Sequence, residues 1–292
     1  MSYTTFQLPK RKRGFRLIYN PCQECREQQN RILGLLNRIP VSPFAHAYVS
    51  GRSTATSCLP HVGKRYVLKL DIESFFESIT LKAFIKRTKE DIEKYVHSPV
   101  AAIQEELEKY CFIERKDNPE PERELPLTRT FDYFLPQGFV TSPAISNIYM
   151  IRADWLISRI AWMEFNEANY TRYADDILIS SDSDNLTKII PIVKDIFGRH
   201  HLRLNFKKIR LMSRNNRQGA LGLVMNQKLS LPRQLRKNLR AALHQVKVGQ
   251  RPMTPKLNGE LAYANGIKNH GPSYSMDFYA ARWKLREASK RI

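Results

Sequence analysis

Two adjacent carboxylates, Asp175 and Asp176, stand between two β-rich runs, Asn169-Tyr170-Thr171-Arg172-Tyr173 and Ile177-Leu178-Ile179-Ser180. Runs of this kind broken by a short polar segment read as a hairpin, which puts both acids at its turn. Like charges so close repel each other, more so when removed from water. The arrangement makes sense if divalent cations neutralise it. A third carboxylate, Asp71, closes the apolar run Tyr66-Val67-Leu68-Lys69-Leu70, which reads as a buried strand. If the strands are neighbours, three carboxylates meet at one end of a sheet. Such a set suits two hard cations, Mg²⁺ first, which prefers carboxylate, water and phosphate oxygens. Two metals about 3.5–4 Å apart activate an attacking oxygen and stabilise a leaving one in phosphoryl transfer. A lone Asp-Asp pair is most often a surface turn. A pair inside Tyr-x-Asp-Asp, flanked by β-rich runs, is a far stronger signal.

Charge narrows the substrate. Of 48 basic and 28 acidic residues, 20 basic and only 3 acidic fall between Leu202 and Ile292, a local balance of +17 out of +20. A third of the chain this basic, with interleaved aromatics, points to a polyanion. Nucleic acid comes first and an anionic membrane surface second, against the plain alternative of a solvated basic face. No apolar run approaches the roughly 20 residues that span a bilayer. The first residues lack the basic start and apolar core of a signal peptide. Four cysteines make no disulfide framework. A cytoplasmic chain without a membrane partner is expected.

The chain reads as α+β. Lys10-Arg11-Lys12-Arg13-Gly14 marks a turn between two β-like runs. Ile32, Leu35, Leu36 and Ile39 give residues 22–39 helical spacing. Leu81–Tyr110 reads as one or two helices with Pro99 as boundary, and residues 115–127 as a loop. Ser142-Pro143 opens a long apolar helix to Ala161. After the hairpin come a helix over Asn185–His200, short strands near 202–211 and 221–231, and a basic helical region from Pro232 to the end. There, Arg233, Arg236, Lys237 and Arg240 share one helical face, and Leu235, Leu239 and Leu243 the other. Tyr263, Tyr274, Phe278, Tyr279 and Trp283 follow.

Four blocks, taken in order, resemble the reverse transcriptases. They are Leu70-Asp71-Ile72-Glu73-Ser74-Phe75-Phe76; Leu135-Pro136-Gln137-Gly138 with Thr141-Ser142-Pro143 and Ser146-Asn147; Tyr173-Ala174-Asp175-Asp176; and Leu202-Arg203-Leu204-Asn205-Phe206-Lys207-Lys208. Within that family the chain looks like the bacterial retron enzymes, whose short polypeptides lack endonuclease and RNase H domains. The retron-type stretch over residues 42–76 places Pro60-His61 shortly before Asp71. The family's Asn-Ala-x-x-His falls on Ser57-Cys58-Leu59-Pro60-His61, where only the histidine is kept. Its Val-Thr-Gly falls on Ala220-Leu221-Gly222, where only the glycine is kept. Both departures set the retron assignment against other bacterial defence-associated reverse transcriptases.

The resemblance implies a right-hand polymerase with fingers, palm and helical thumb. Its expected boundaries are 1–65 for the fingers and N-terminal region, 66–231 for the palm with an interleaved fingers segment at about 80–135, and 232–292 for the thumb. It implies that Asp71, Asp175 and Asp176 hold two Mg²⁺ ions with the Ile72 carbonyl. It places Phe76 where an aromatic ring excludes a ribose 2′-OH, and Gln137 on the nucleotide pocket. Arg16, with Lys10 or Arg13, would hold the triphosphate. Lys207 or Lys208 would protonate pyrophosphate, and His61 would lie near the RNA. The bland readings are core for Phe76, a structural role for His61 and simple exposure for the lysines. The partners implied are dNTPs, a template–primer hybrid, a cognate structured non-coding RNA with its DNA product, and a separately encoded effector in antiphage defence. Other readings are a defence-associated polymerase with different priming or untemplated synthesis, and an RNA-binding scaffold with vestigial activity. Cys22-x-x-Cys25 has metal-like spacing but no second Cys/His pair at zinc-finger distance. It reads as the start of a helix.

Overall fold

The structure, a computed structural model, describes residues 2–9, 14–114 and 133–268. In chain order its elements are β1 (Tyr3–Pro9), β2 (Phe15–Pro21), α1 (Gln23–Leu36), α2 (Thr54–Cys58), β3 (Tyr66–Asp71), α3 (Leu81–Val96), α4 (Val100–Tyr110), β4 (Ile113–Glu114), β5 (Tyr133–Phe134), α5 (Ser142–Glu164), β6 (Asn169–Tyr173), β7 (Asp176–Ser181), α6 (Ile189–Arg199), β8 (Arg210–Ser213), β9 (Gly219–Ala220), β10 (Leu223–Val224), α7 (Arg233–Lys247) and α8 (Pro255–Lys268). The mixed α+β content agrees with the sequence reading. The chain divides into two compact units. One comprises Met1–Ser42, Asp71–Leu156 and Ile190–Phe206; the other comprises Pro43–Leu70, Ile157–Ile189 and Lys207–Ile292.

In the first unit, β1 and β2 form an antiparallel hairpin, paired from Tyr3↔Pro21 to Pro9↔Phe15. Period-two alternation turns Leu17 and Tyr19 inward, against Ile113, Phe134 and Phe139. The other face carries Arg16 and Ile18. α1 buries Cys25, Gln29, Ile32 and Leu36, a stripe at three- and four-residue spacing. Gln29 is a buried tie rather than a misplaced polar residue. Its Nε2 donates to Tyr110 O at 2.8 Å, and its Oε1 accepts from Val140 N at 3.2 Å. α3 starts at Thr80, whose hydroxyl accepts from Ala83 N, and stops at His97 in left-handed conformation. Pro99 then opens α4, as expected. Phe84 and Phe112 pack with ring centroids 6.2 Å apart.

The second unit holds a four-stranded sheet in the order β6-β7-β3-β8, with β6/β7 and β3/β8 antiparallel. Val67 and Leu178 from this sheet join a core with Cys58, Met225, Leu239, Leu257 and Ile267. The strands expected near 202–211 and 221–231 are mostly replaced. Leu204 makes one isolated bridge to Ile72, and the chain then coils into a 3-10 turn, Phe206–Lys208, before β8. That bridge, in the first unit, is closed by Asn205 N–H donating to Asp71 O at 2.8 Å and Glu73 N–H to Arg203 O at 2.9 Å, and the exposed lysines that follow have no apolar alternation to extend it. β9 and β10 are two residues each. Leu221 (φ 51°) and Gly222 (φ 78°) connect them, so the retained glycine serves a two-residue hairpin turn that needs positive φ at both positions. α7 and α8 are the helices expected after Pro232. Tyr274, Phe278, Tyr279 and Trp283 lie outside the described residues, as do Lys10 and Arg13.

Candidate active site

The β6–β7 register pairs Tyr173 with Asp176, so Ala174 and Asp175 alone form the turn and Asp176 is the first residue of β7. Ala174 is held at φ 56°, where an L-residue costs about 1–2 kcal/mol. The neighbourhood compensates. Arg172, fully buried, donates from Nη1 to Ala174 O at 3.3 Å. Its backbone is secured on the far side by Arg172 N to Phe44 O at 2.8 Å and His46 N to Arg172 O at 2.7 Å. The outer edge of β6 is thereby covered where the turn begins.

Asp71 is the last residue of β3, the neighbour of β7, and is buried. Lys69, two residues earlier, projects from the same face of β3. Its Nζ lies 2.6 Å from Asp176 Oδ1, with both side chains about four-fifths buried. The carboxylate charge at the hairpin therefore already meets a cation. Among the described residues no three His, Cys, Asp or Glu side chains are gathered tightly enough to hold a metal as they stand. The donor set nevertheless fits a hard cation. It is all carboxylate, and the Lys69 ammonium stands where positive charge is required. A lone lysine inside the apolar run Val67-Leu68-Lys69-Leu70 was the available signal for this pair, and sequence reasoning passed over it.

The Leu-Pro-Gln-Gly turn belongs to the first unit and is pinned by main chain. Tyr19 N donates to Gln137 O at 2.8 Å, and Ser142 Oγ donates to Pro136 O at 2.7 Å. Gly138 has φ +113°, and a Cβ there would run into the Tyr19 carbonyl and lie 2.8 Å from Ile18 Cγ2. Gln137 Nε2 donates to Glu77 Oε1 at 2.8 Å. Glu77 is buried and its Oε2 has no hydrogen-bond partner. Because the carboxylate only accepts, it fixes the Gln137 amide with its oxygen on the other side. Glu77 was not among the expected site residues. Arg16 is exposed, on the strand face of Ile18, the residue against Gly138. Phe75 is core at 4% exposure, whereas Phe76 is half-buried, the two rings 5.6 Å apart. Ile72 is buried beside Leu204. Lys207 and Lys208 are exposed on the 3-10 turn after it.

The RNA-facing role expected for His61 does not fit. The ring is fully buried, with Nδ1 2.7 Å from Ser180 Oγ and Nε2 2.8 Å from Thr171 Oγ1. Thr171 Oγ1 donates its own proton to Ser57 O at 2.9 Å. It must therefore accept from His61 Nε2–H, and Nδ1 accepts from Ser180. Burial lowers the His61 pKa to about 3, so the ring is neutral. His61 ties the β6–β7 hairpin to the segment after α2. Ser57, at the first position of the altered motif, belongs to this buried network.

On α7, Arg233, Arg236, Lys237 and Arg240 are exposed, Leu239 is buried and Leu235 half-buried. Leu243, at 37% exposure, is less covered than an apolar face requires. Arg236 and Arg240 also border a cavity of about 770 Å³, walled by Leu231, Leu239, Leu261 and Ile267 within the second unit. No helix among the described residues is long and apolar enough to cross a membrane.

Residues 8–225 match the family described as reverse transcriptase (RNA-dependent DNA polymerase). The chain belongs to the reverse transcriptase family. Its relatives include the retron Mx65 reverse transcriptase of Myxococcus xanthus, 35% identical over 252 residues, which are 83% of this chain and 56% of that protein. The retron Mx162 reverse transcriptase of the same organism is 28% identical over 85% of this chain and 53% of its own length. The retron Ec86 reverse transcriptase of Escherichia coli is 26% identical over 92% and 77%. The chain thus spans about half the length of the two Myxococcus relatives. A telomerase structure from Candida tropicalis, in complex with a fragment of telomeric RNA, aligns with 99% of this chain and 55% of its own at a TM-score of 0.50 and 14% identity. That likeness extends to the fold, which is the reverse transcriptase fold.

Proposed function

We propose that this chain is an RNA-directed DNA polymerase of retron type. It binds a structured non-coding RNA and copies part of it into single-stranded DNA, primed from a 2′-OH of the RNA itself. The role is antiphage defence with a separately encoded effector. The observation that carries the reading is the two-residue turn at Ala174-Asp175, which sets the carboxylates of Asp175 and Asp176 at the start of β7, beside the strand that ends at Asp71. In this reading residues 1–65 belong to fingers, 66–231 to palm with a fingers insertion near 80–135, and 232–292 to thumb.

Asp71, Asp175 and Asp176, with the Ile72 carbonyl, hold two Mg²⁺ ions. When bound, the ions supply activation of the primer hydroxyl and charge neutralisation at the phosphates. Arg16 binds triphosphate oxygens through its planar fork, which suits them better than a point charge. Glu77 aims the Gln137 carbonyl oxygen at the incoming nucleotide. Lys207 delivers a proton to the pyrophosphate leaving group. The α7 basic face holds the hybrid by its phosphates, the contact suited to A-form geometry. Sequencing the nucleic acid that copurifies with the protein tests the whole reading. A branched RNA–DNA molecule from one structured locus supports it, and bulk cellular RNA alone overturns it.

Phe76→Ala is expected to relax sugar selection, because the half-buried ring borders the position of a 2′-OH. Primer extension with rNTPs in place of dNTPs reads this directly. Unchanged discrimination would return Phe76 to the core.

Reversing charge at Arg233, Arg236, Lys237 and Arg240 together is expected to weaken hybrid and RNA binding with little dependence on sequence. Each lost phosphate contact flattens the slope of log K against log salt by roughly 0.7–0.9. A face that is merely solvated would leave both constant and slope as in the wild type.

A further inference from the structure

Cys22 and Cys25 do more than start a helix. Cys22 is the N-cap of α1, its Sγ accepting from Cys25 N at 3.4 Å. The two sulfurs lie 3.0 Å apart. Cys22 is half-exposed, whereas Cys25 is buried at 5%. An accessible sulfur at a helix N-terminus with a covered one a turn later is the division of labour of a Cys-x-x-Cys couple, in which the outer thiolate attacks and the inner thiol resolves. We propose that Cys22 and Cys25 form a redox-active dithiol whose substrates are low-molecular-weight disulfides, Cys22 being the nucleophile and Cys25 the resolving thiol.

The local electrostatics agree. Hydrogen bonds from the Cys25 side chain and backbone lower the Cys22 pKa, opposed by burial and by the charge of Glu24. Burial raises that of Cys25. Cys58 and Cys111 are single, fully covered thiols pushed up to about 12, so they serve as internal controls. A structural zinc needs four ligands. Among the described residues no third His, Cys, Asp or Glu joins the pair.

The reaction balances with a disulfide RSSR as the two-electron oxidant. Cys22 thiolate attacks one sulfur, the S–S bond of RSSR breaks, and one RS⁻ leaves with a proton from solvent. Cys25 then loses its proton to solvent and attacks Cys22 Sγ in the mixed disulfide, displacing the second RS⁻. Two cysteine thiols are oxidised to one disulfide, and RSSR is reduced to two RSH. The sulfurs stand 3.0 Å apart, about 1 Å beyond the bonded distance of about 2.05 Å.

The test treats the full chain with oxidised glutathione and maps the peptides by mass spectrometry. The wild type is expected to lose two hydrogens in the peptide pair carrying Cys22 and Cys25, reversibly with dithiothreitol, while Cys58 and Cys111 stay thiols. Cys25→Ser is expected to trap glutathione on Cys22. Cys22→Ser keeps a good N-cap residue and so the fold, and its Cys25 is expected to react at least ~10-fold more slowly than Cys22 does in Cys25→Ser. The proposal is overturned if the wild type keeps all four thiols, if glutathione remains on Cys22 without an internal disulfide, or if Cys25 reacts as fast as Cys22. Melting curves matching wild type establish that both variants are folded.

Discussion

Asparagine at position 175 or 176 is expected to bring DNA synthesis on a primed RNA template down by more than ~10²-fold, the loss that even the partners of metal ligands can cause. RNA binding, which we assign to the basic face of α7, should persist. The two variants should part company in stability. Asp175→Asn lowers repulsion between neighbouring carboxylates and leaves the Lys69–Asp176 pair intact. Asp176→Asn leaves the Lys69 ammonium, about four-fifths buried, facing a neutral amide, at a cost of about 1–3 kcal/mol. Primer extension and thermal melting of the two proteins check both halves. Near wild-type extension by either variant would sink the assignment of the acids, and equal melting temperatures would remove the part given to Lys69.

Acid is expected to unfold this protein early. Burial holds His46 and His61 at about 3 and His200 at about 4 in the folded chain. In the unfolded chain each returns to about 6.5. Above that value neither state is protonated at these sites, and the full stability is present. As pH falls below it, the unfolded chain binds protons that the folded chain refuses. Each such histidine then removes about 1.4 kcal/mol per pH unit until the folded pKa is reached. By about pH 4.5, His46 and His61 alone remove about 5 kcal/mol, comparable with the whole stability of many domains. Thermal melting at about pH 7 and about pH 4.5 reads the drop. His61→Gln, which hydrogen-bonds without titrating, should make the dependence shallower by one proton. A melting temperature that ignores pH over this range would contradict the burial of these rings.

What the sequence made legible was whatever local chemistry determines. Ile32 and Leu36 revealed α1, Pro99 the break between α3 and α4, and Ser142-Pro143 the start of α5. The β-rich runs around Asp175 located the hairpin to within a residue, because alternation and turn residues act over a handful of positions. What stayed hidden depends on distant partners. His61 looked available for RNA because Ser180 and Thr171, which enclose it, are more than a hundred residues away. Lys69 drew no reading until β3 came to lie beside β7. Glu77 gained meaning only when Gln137, 60 residues on, met it. Leu202 and Leu204 showed strand-like alternation, and Leu204 does bridge to Ile72, but the exposed residues after Asn205 have no apolar alternation to extend the pairing and the chain coils.

The close approach of Gly138 to β2 has a consequence for mutational tolerance. On one side the contact is made by the carbonyl of Tyr19, an atom every residue carries; on the other, by the absence of a side chain. It therefore constrains the two segments unequally. Position 138 admits nothing larger than hydrogen, while this contact asks of position 19 only a strand backbone. Arg16 on the exposed face of β2 can accordingly be exchanged for other charges without disturbing the turn on which Gln137 sits, provided that Ile18, which meets Gly138 from the same face, is kept.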